Sequence, residues 1–313
     1  MYWRILIRRL FVSKYRLITR SDFDGLVCAM MLKELDMLDS ILFVHPKDMQ
    51  DGMVDVSDKD ITTNVPYQQG VHLAFDHHIS EKERRYVNYI NMPDAASTAS
   101  VVYEYFGGEK KLKISKEIIN AVDKSDSAQF TYEDIVNPKD WVLLSFIMDA
   151  RTGLGRFKDF RISNYDLMMM LIDYCSCNTI EQVLEHPDVK ERTDMYRKQQ
   201  ELFKNQLLEC AEVIDDVVII HLKNQDPIYV GNRFLIYTLF PKATVSIHEM
   251  WGLKKRNTVF TLGKSIINRG SDKDLAFICK KQGGGGHMNA ATCQVPNGLA
   301  DEVLKEILND LGV

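Results

Sequence analysis

Residues 15–38 read YRLITRSDFDGLVCAMMLKELDML. Tyr15 to Thr19 has the short apolar character of a strand, and Gly25 to Leu38 places Leu26, Met30, Leu32 and Leu35 at helical spacing. Between them stands Ser21-Asp22-Phe23-Asp24-Gly25. A polar turn that leaves a strand and enters a helix lies at the carboxyl edge of a parallel α/β sheet, where ligands bind. Gly25 permits the chain to turn there, so both acids can project into one crevice. Hard oxygen ligands in that arrangement suit magnesium or manganese. The competing reading is a helix N-cap in a solvated turn, which aspartate makes constantly.

Working outward, Ile41 to Val44, Ile61 to Val65 and Val71 to Phe75 are further strand-like runs. Ala96 to Phe106 and Ile114 to Val122 read as helices around the stop at Gly107-Gly108. Strands separated by helices imply a parallel sheet with helices on its faces. Val71 to Phe75 ends in Asp76-His77-His78. An acid and two imidazoles at one strand terminus are costly to bury unpaired. Imidazole beside carboxylate is the ligand set of a manganese or mixed divalent site. A polar turn with an incidental histidine pair is the plainer reading. Two such motifs at matching strand ends favour one shared site.

The second half changes character at Val189 to Ala211, whose polar sequence (KERTDMYRKQQELFKNQLLECA from Lys190) reads as a connecting helix with too little apolar surface for a core. Val217 to Leu222, Ala243 to Ile247 and Thr258 to Leu262 are β-like, and Leu299 to Leu311 is a closing amphipathic helix. Between them lies Gly283-Gly284-Gly285-Gly286-His287. Consecutive glycines let backbone N–H groups cradle a phosphate, and Met288 to Ala291 reads as the start of a helix aimed at that ligand.

The expected architecture is therefore α/β in two parts: a parallel-sheet N-terminal domain over residues 1–188 and a smaller α/β domain over 189–313. A cleft lies between them, with a hinge near the connecting helix. A length of 313 residues suits two domains. Net charge is −5, from 39 Lys+Arg against 44 Asp+Glu. That balance argues against a protein that coats duplex DNA and leaves room for a local basic pocket. No apolar run approaches a membrane span. Met1 to Arg20, broken by Arg4, Arg8, Arg9, Lys14 and Arg16, reads as a surface extension rather than a secretory signal or anchor. Six scattered cysteines form no zinc-ribbon pattern and point to reduced thiols in the cytoplasm.

Asp22-Phe23-Asp24, Asp76-His77-His78 and the glycine run ending in His287 resemble, in order and spacing, the motifs of DHH phosphoesterases that carry a DHH-associated C-terminal domain. Ala95-Ala96-Ser97-Thr98-Ala99 is similar to the segment that follows the DHH motif in that family. The resemblance runs from Tyr15 onward, with exopolyphosphatase-related proteins as the nearest expected kin. It implies two manganese ions sharing a bridging water, magnesium being the alternative. Asp22 would hold the first ion; Asp24 and His77 would hold the second. His78, with Asp76 beside it, takes the catalytic place at the scissile phosphate. The fourth family motif falls in AVDKSDSAQF, where Asp126 fits best and Asp123 is the fallback.

The sequence departs from that pattern in two places. No histidine precedes the paired acids, where Ile18, Thr19 and Arg20 stand. Asn64 occupies the place of a bridging aspartate, and a neutral amide bridges two cations weakly. Arg20 can instead bring fixed positive charge to a phosphate. In the gripping segment Gly263 stands where an arginine is common, leaving Lys264, Ser265 and Arg269, with Gly284, Gly285, Gly286 and His287, as expected substrate contacts. The implied activity is hydrolysis of a phosphodiester or phosphoanhydride in a small nucleotide, short single-stranded oligonucleotide or polyphosphate; a homodimer is compatible with it. The alternative is a non-catalytic phosphate-ligand binder with an incomplete dimetal centre. Leu167 to Leu171 reads as core, His45 as a turn and His72 as structural. His186, His221 and His248 lack partners nearby in the sequence.

Overall fold

The computed structural model describes residues 14–78 and 85–313. The N-terminal extension, up to residue 13, lies outside them. In chain order the first elements are β1 (Tyr15–Arg20), α1 (Phe23–Glu34), β2 (Leu38–Val44), α2 (Pro46–Gln50), β3 (Asp60–Thr63), β4 (Leu73–Asp76) and β5 (Tyr89–Asn91). Helices α3 (Thr98–Tyr105), α4 (Lys116–Asp126), α5 (Tyr132–Val136), α6 (Asp140–Met148), α7 (Asn164–Cys177), α8 (Ile180–Glu185) and α9 (Pro187–Glu209) follow. The chain closes with β6 (Ala211–Ile214), β7 (Val217–His221), α10 (Leu235–Leu239), β8 (Val245–Trp251), β9 (Thr258–Lys264), α11 (Leu275–Lys281), β10 (Gly285–His287), β11 (Ala290–Val295) and α12 (Ala300–Leu311).

The chain divides into two compact units, one up to Ser127 with Asn164–Thr179, the other Ala128–Ser163 with Ile180–Val313. The first is built on a five-stranded sheet of order β2-β1-β3-β4-β5, parallel throughout. Helix α1 packs against α3, α4 and α7. Every residue from Phe23 to Leu32 is therefore buried, which explains why its apolar residues do not keep to one stripe. The glycine at its start serves close approach rather than a turn. A Cβ on Gly25 would sit 2.0 Å from Arg20 O and 2.8 Å from Thr19 Oγ1.

The second unit is a six-stranded mixed sheet, β10-β11-β9-β8-β7-β6, in which β7 and β8 run parallel and the other neighbours antiparallel. Phe260, Leu262, Ile278 and Val295 form one core with the apolar stripe Ala300, Val303, Ile307 and Leu311 of α12. A second core joins Phe146, Val218, Ile220 and Phe234 to Tyr196, Phe203 and Leu207 of α9. This corrects the sequence reading of α9 as a helix without enough apolar surface for a core. Few but large side chains, spaced to one face, suffice; burying each is worth about 1.5–3 kcal/mol.

Candidate metal centre

The carboxyl ends of β1, β3 and β4 carry the residues singled out by the sequence. Asp24, in the first turn of α1, is 2 % exposed. Its carboxylate accepts the N–H of Thr98 at 3.1 Å and of Ala99 at 2.7 Å, the opening turn of α3. His77 leaves β4 and donates Nδ1–H to Ala95 O at 3.1 Å. A carbonyl only accepts, so this bond puts the proton on Nδ1 and turns Nε2 toward the acids. Nε2 lies 2.9 Å from Asp126 Oδ2. One ligand atom from each of Asp24, His77 and Asp126 falls within 4.8 Å of the others. The segment 95–99 thus holds two of the three from behind, a role only its resemblance to the family segment hinted at.

The electrostatics agree with a cation site. Burial, then the nearby charge of Asp126, pushes Asp24 up to about 7. For His77 burial acts downward, but the hydrogen bond and charge of Asp126 outweigh it and raise the imidazole to about 9. Asp126 is correspondingly held low, its desolvation outweighed by His77. Without an ion, protons have to balance two crowded carboxylates. Two carboxylates and an imidazole nitrogen are a fitting donor set for a divalent ion.

Asp22 and Asn64 stand outside that trio. Asp22 caps α1 by accepting Gly25 N–H at 3.0 Å. Arg20 Nε lies 3.0 Å from its Oδ2, and Asn64 Nδ2 donates to its Oδ1 at 3.1 Å. Asn64 adopts φ +56°, a left-handed conformation that asparagine tolerates. An aspartate there would face Asp22 with no proton to share; the amide and Arg20 satisfy Asp22 instead. Asp123, the fallback, is engaged elsewhere: it accepts the hydroxyls of Ser97 at 2.6 Å and Ser100 at 2.7 Å.

Asp76 is fully buried at the end of β4. Its Oδ1 accepts His78 Nδ1–H at 2.6 Å and its Oδ2 accepts the Tyr89 hydroxyl at 3.0 Å. Desolvation lowers the His78 imidazole, but Asp76 outweighs it and the net shift is upward. Tyr89 carries no sequence signal, because its place beside Asp76 comes from the β4–β5 register.

In the second unit the glycine run differs from expectation. Gly285–His287 is a strand paired antiparallel with β11, not a loop leading into a helix. Gly286 has φ +147°, and a Cβ there would lie 2.5 Å from Ala290 O. A tight hairpin therefore demands the glycine, and Met288-Asn289 form its turn. Ser265 is 4 % exposed and accepts the N–H groups of Ile267 and Asn268 at 3.2 and 2.9 Å, which makes it a turn former. Arg269 donates to Ile266 O at 3.1 Å and Ala128 O at 3.2 Å. Lys264 ends β9, and its N–H donates to Asn289 O of the hairpin turn at 2.9 Å. His221, without partners nearby in the sequence, gains them in the fold: Nδ1 lies 2.7 Å from Glu249 and Nε2 2.9 Å from Glu212. Both acids come from neighbouring strands.

No family model matches the sequence, and no curated protein matches it. Solved structures do. PggH of Vibrio cholerae, described as a pGpG-specific phosphodiesterase, is 49 % identical with a TM-score of 0.83, over 96 % of this chain and 99 % of that one. The RecJ structure of Thermus thermophilus with Mn2+ matches at 11 % identity and TM-score 0.55, over 96 % of this chain and 52 % of that one. The DHH domain of PF0399 matches at 12 % identity and TM-score 0.54, over 95 % and 86 %. These last two show the fold. A parallel sheet that gathers acids and a histidine pair at its carboxyl edge defines a metal-dependent hydrolase of phosphate esters. This chain belongs to the DHH phosphoesterase superfamily. No helix among the described residues is long and apolar enough to cross a membrane.

Proposed function

We propose that this protein is a phosphodiesterase that cleaves the internal phosphodiester of a short linear dinucleotide such as pGpG, with Mn2+ as its metal. The observation that carries the reading is the convergence of Asp24, His77 and Asp126 beside the Asp76–His78 pair. Its support in substrate class is the 49 % identity to a pGpG-specific phosphodiesterase. Asp24, His77 and Asp126 would hold the ion. When bound, it supplies Lewis-acid polarisation of the phosphoryl group and a water of lowered pKa. His78, oriented by Asp76 and with its pKa raised by that carboxylate, would donate from Nε2 to an oxygen of the scissile phosphate as charge builds there. Asp76 acts through His78 and is a positioning residue. Arg20, fixed on Asp22, places positive charge where a second ion would otherwise sit, so one ion per chain is expected. The six cysteines stand as free thiols, which supports a reducing, cytoplasmic setting.

A second reading, a phosphate-ligand binder without turnover, is favoured by the Arg20–Asp22–Asn64 network. Purified protein should be assayed in Mn2+ against pGpG, adenosine bisphosphate, short RNA and polyphosphate, with His78→Ala beside it. The proposal expects metal-dependent cleavage of pGpG, falling by about a hundredfold or more in the variant. Binding of the dinucleotide without cleavage would install the second reading.

A further inference from the structure

Strand β5, three residues long at one edge of the parallel sheet, presents side chains to the Asp76–His78 pair. The parallel register sets Ala74 beside Tyr89 and Asp76 beside Asn91. In that register the Tyr89 hydroxyl donates to Asp76 Oδ2 at 3.0 Å. Asn91 Nδ2 donates to His78 O at 3.3 Å, and Met92 N–H, one residue beyond the strand, donates to Asp76 O at 3.0 Å. The Tyr89 ring is 8 % exposed and packs in a small core with Tyr67, Val71 and Ala74. Its centroid lies 4.9 Å from that of Tyr67. The phenol therefore reaches Asp76 from a fixed origin.

Asp76 divides its oxygens between two sets of donors. Oδ1 takes the His77 N–H at 2.8 Å, the His78 N–H at 3.3 Å and His78 Nδ1–H at 2.6 Å. Oδ2 takes the phenol. The carboxylate plane of an aspartate turns about a soft torsion with a broad, roughly two-fold profile. A donor held on Oδ2 restricts that rotation and fixes the direction in which Oδ1 meets the imidazole. The bond is charge-assisted and correspondingly strong. Burial of a phenol does not by itself demand such a partner. Tyr67, 6 % exposed in the same core, donates its hydroxyl to the neutral Asn88 Oδ1 at 3.1 Å, the ordinary way in which a buried tyrosine is satisfied.

We infer that Tyr89 is a positioning residue for His78: its hydroxyl locks the Asp76 carboxylate so that the imidazole presents Nε2 to the scissile phosphate. The reaction served rests on the phosphodiesterase reading above. The test is steady-state cleavage of pGpG in Mn2+ by Tyr89→Phe, by Tyr67→Phe, and by Tyr89→Phe combined with His78→Ala. Heteronuclear NMR of the histidine rings in the metal-free proteins accompanies it, His78→Ala identifying the His78 signals. Tyr89→Phe keeps the ring and should lower kcat about tenfold with KM nearly unchanged. In the His78→Ala background the same change should cost nothing further, because the tyrosine acts through the lost imidazole. The His78 Nδ1 signal should move in Tyr89→Phe and stay in Tyr67→Phe, whose kcat should remain that of the unaltered protein. An unchanged rate in Tyr89→Phe, an equal loss in both backgrounds, or an unmoved His78 signal overturns the inference. So does a Tyr67→Phe protein that matches Tyr89→Phe in rate and signal, since the role is then core packing. Should unaltered protein fail to cleave pGpG, the phosphodiesterase reading falls, and the His78 signal still decides whether Tyr89 orients the imidazole.

Discussion

At the scale of single residues, two acids three positions apart on α4 have separate tasks. Asp126 faces His77 and Asp24, whereas Asp123 ties the serines that open α3. Asp126→Ala should abolish Mn2+ uptake at the centre in a calorimetric titration. Asp123→Ala should keep uptake but lose about 1–3 kcal/mol of stability in urea, since two buried-side hydroxyls lose their acceptor. Equal metal loss in both variants would contradict this division. Asn64 makes the complementary case. Asn64→Asp sets a second carboxylate within 3.1–3.4 Å of where the amide now donates to Asp22. The metal-free variant should melt lower than its parent, and Mn2+ should raise its melting temperature more than the parent's. If Mn2+ shifts both proteins alike, the amide is not what keeps a second ion out.

At the scale of elements, strand pairing places residues that local sequence cannot. Gly286 holds a strained conformation in the β10–β11 hairpin, while a Cβ on Gly285 would meet nothing within 4 Å. Gly286→Ala should therefore lower stability by about 2 kcal/mol or more and Gly285→Ala by far less, read from thermal unfolding. Similar losses in both would mean the hairpin does not depend on close approach. His221 supplies a pH dependence. Its desolvation is outweighed by hydrogen bonds to Glu249 and Glu212, and the imidazole is raised above its ordinary value. A raised folded-state value means that this contribution is complete below about pH 6.5, the unfolded value, and is lost as pH rises through the folded one. Because the ring is 39 % exposed, the effect is small, under about 1 kcal/mol. The melting difference between parent and His221→Gln should be larger at pH 6 than at pH 9; the reverse order would refute the pairing.

At the scale of the whole molecule, α9 is part of a core rather than a solvated connector. Phe203 is 8 % exposed within that core, so Phe203→Ala should cost about 3–5 kcal/mol in chemical denaturation. A loss below about 0.5 kcal/mol would return α9 to the surface. The amino-acid sequence by itself determined the parallel α/β character of the first unit and the grouping of acids and histidines at strand ends. Strand-helix alternation and turn composition are local signals, and parallel strands bring their carboxyl ends together whatever lies between them. Only the tertiary structure decided that Asp22 belongs to Arg20 and Asn64 and that the glycine run is a hairpin; for Asp126, which the family pattern already favoured over Asp123, it supplied the contacts with His77 and Asp24. Each depends on which neighbour a register or a packed helix brings within about 3 Å, a distance that residues far apart in the chain reach only after the fold has formed.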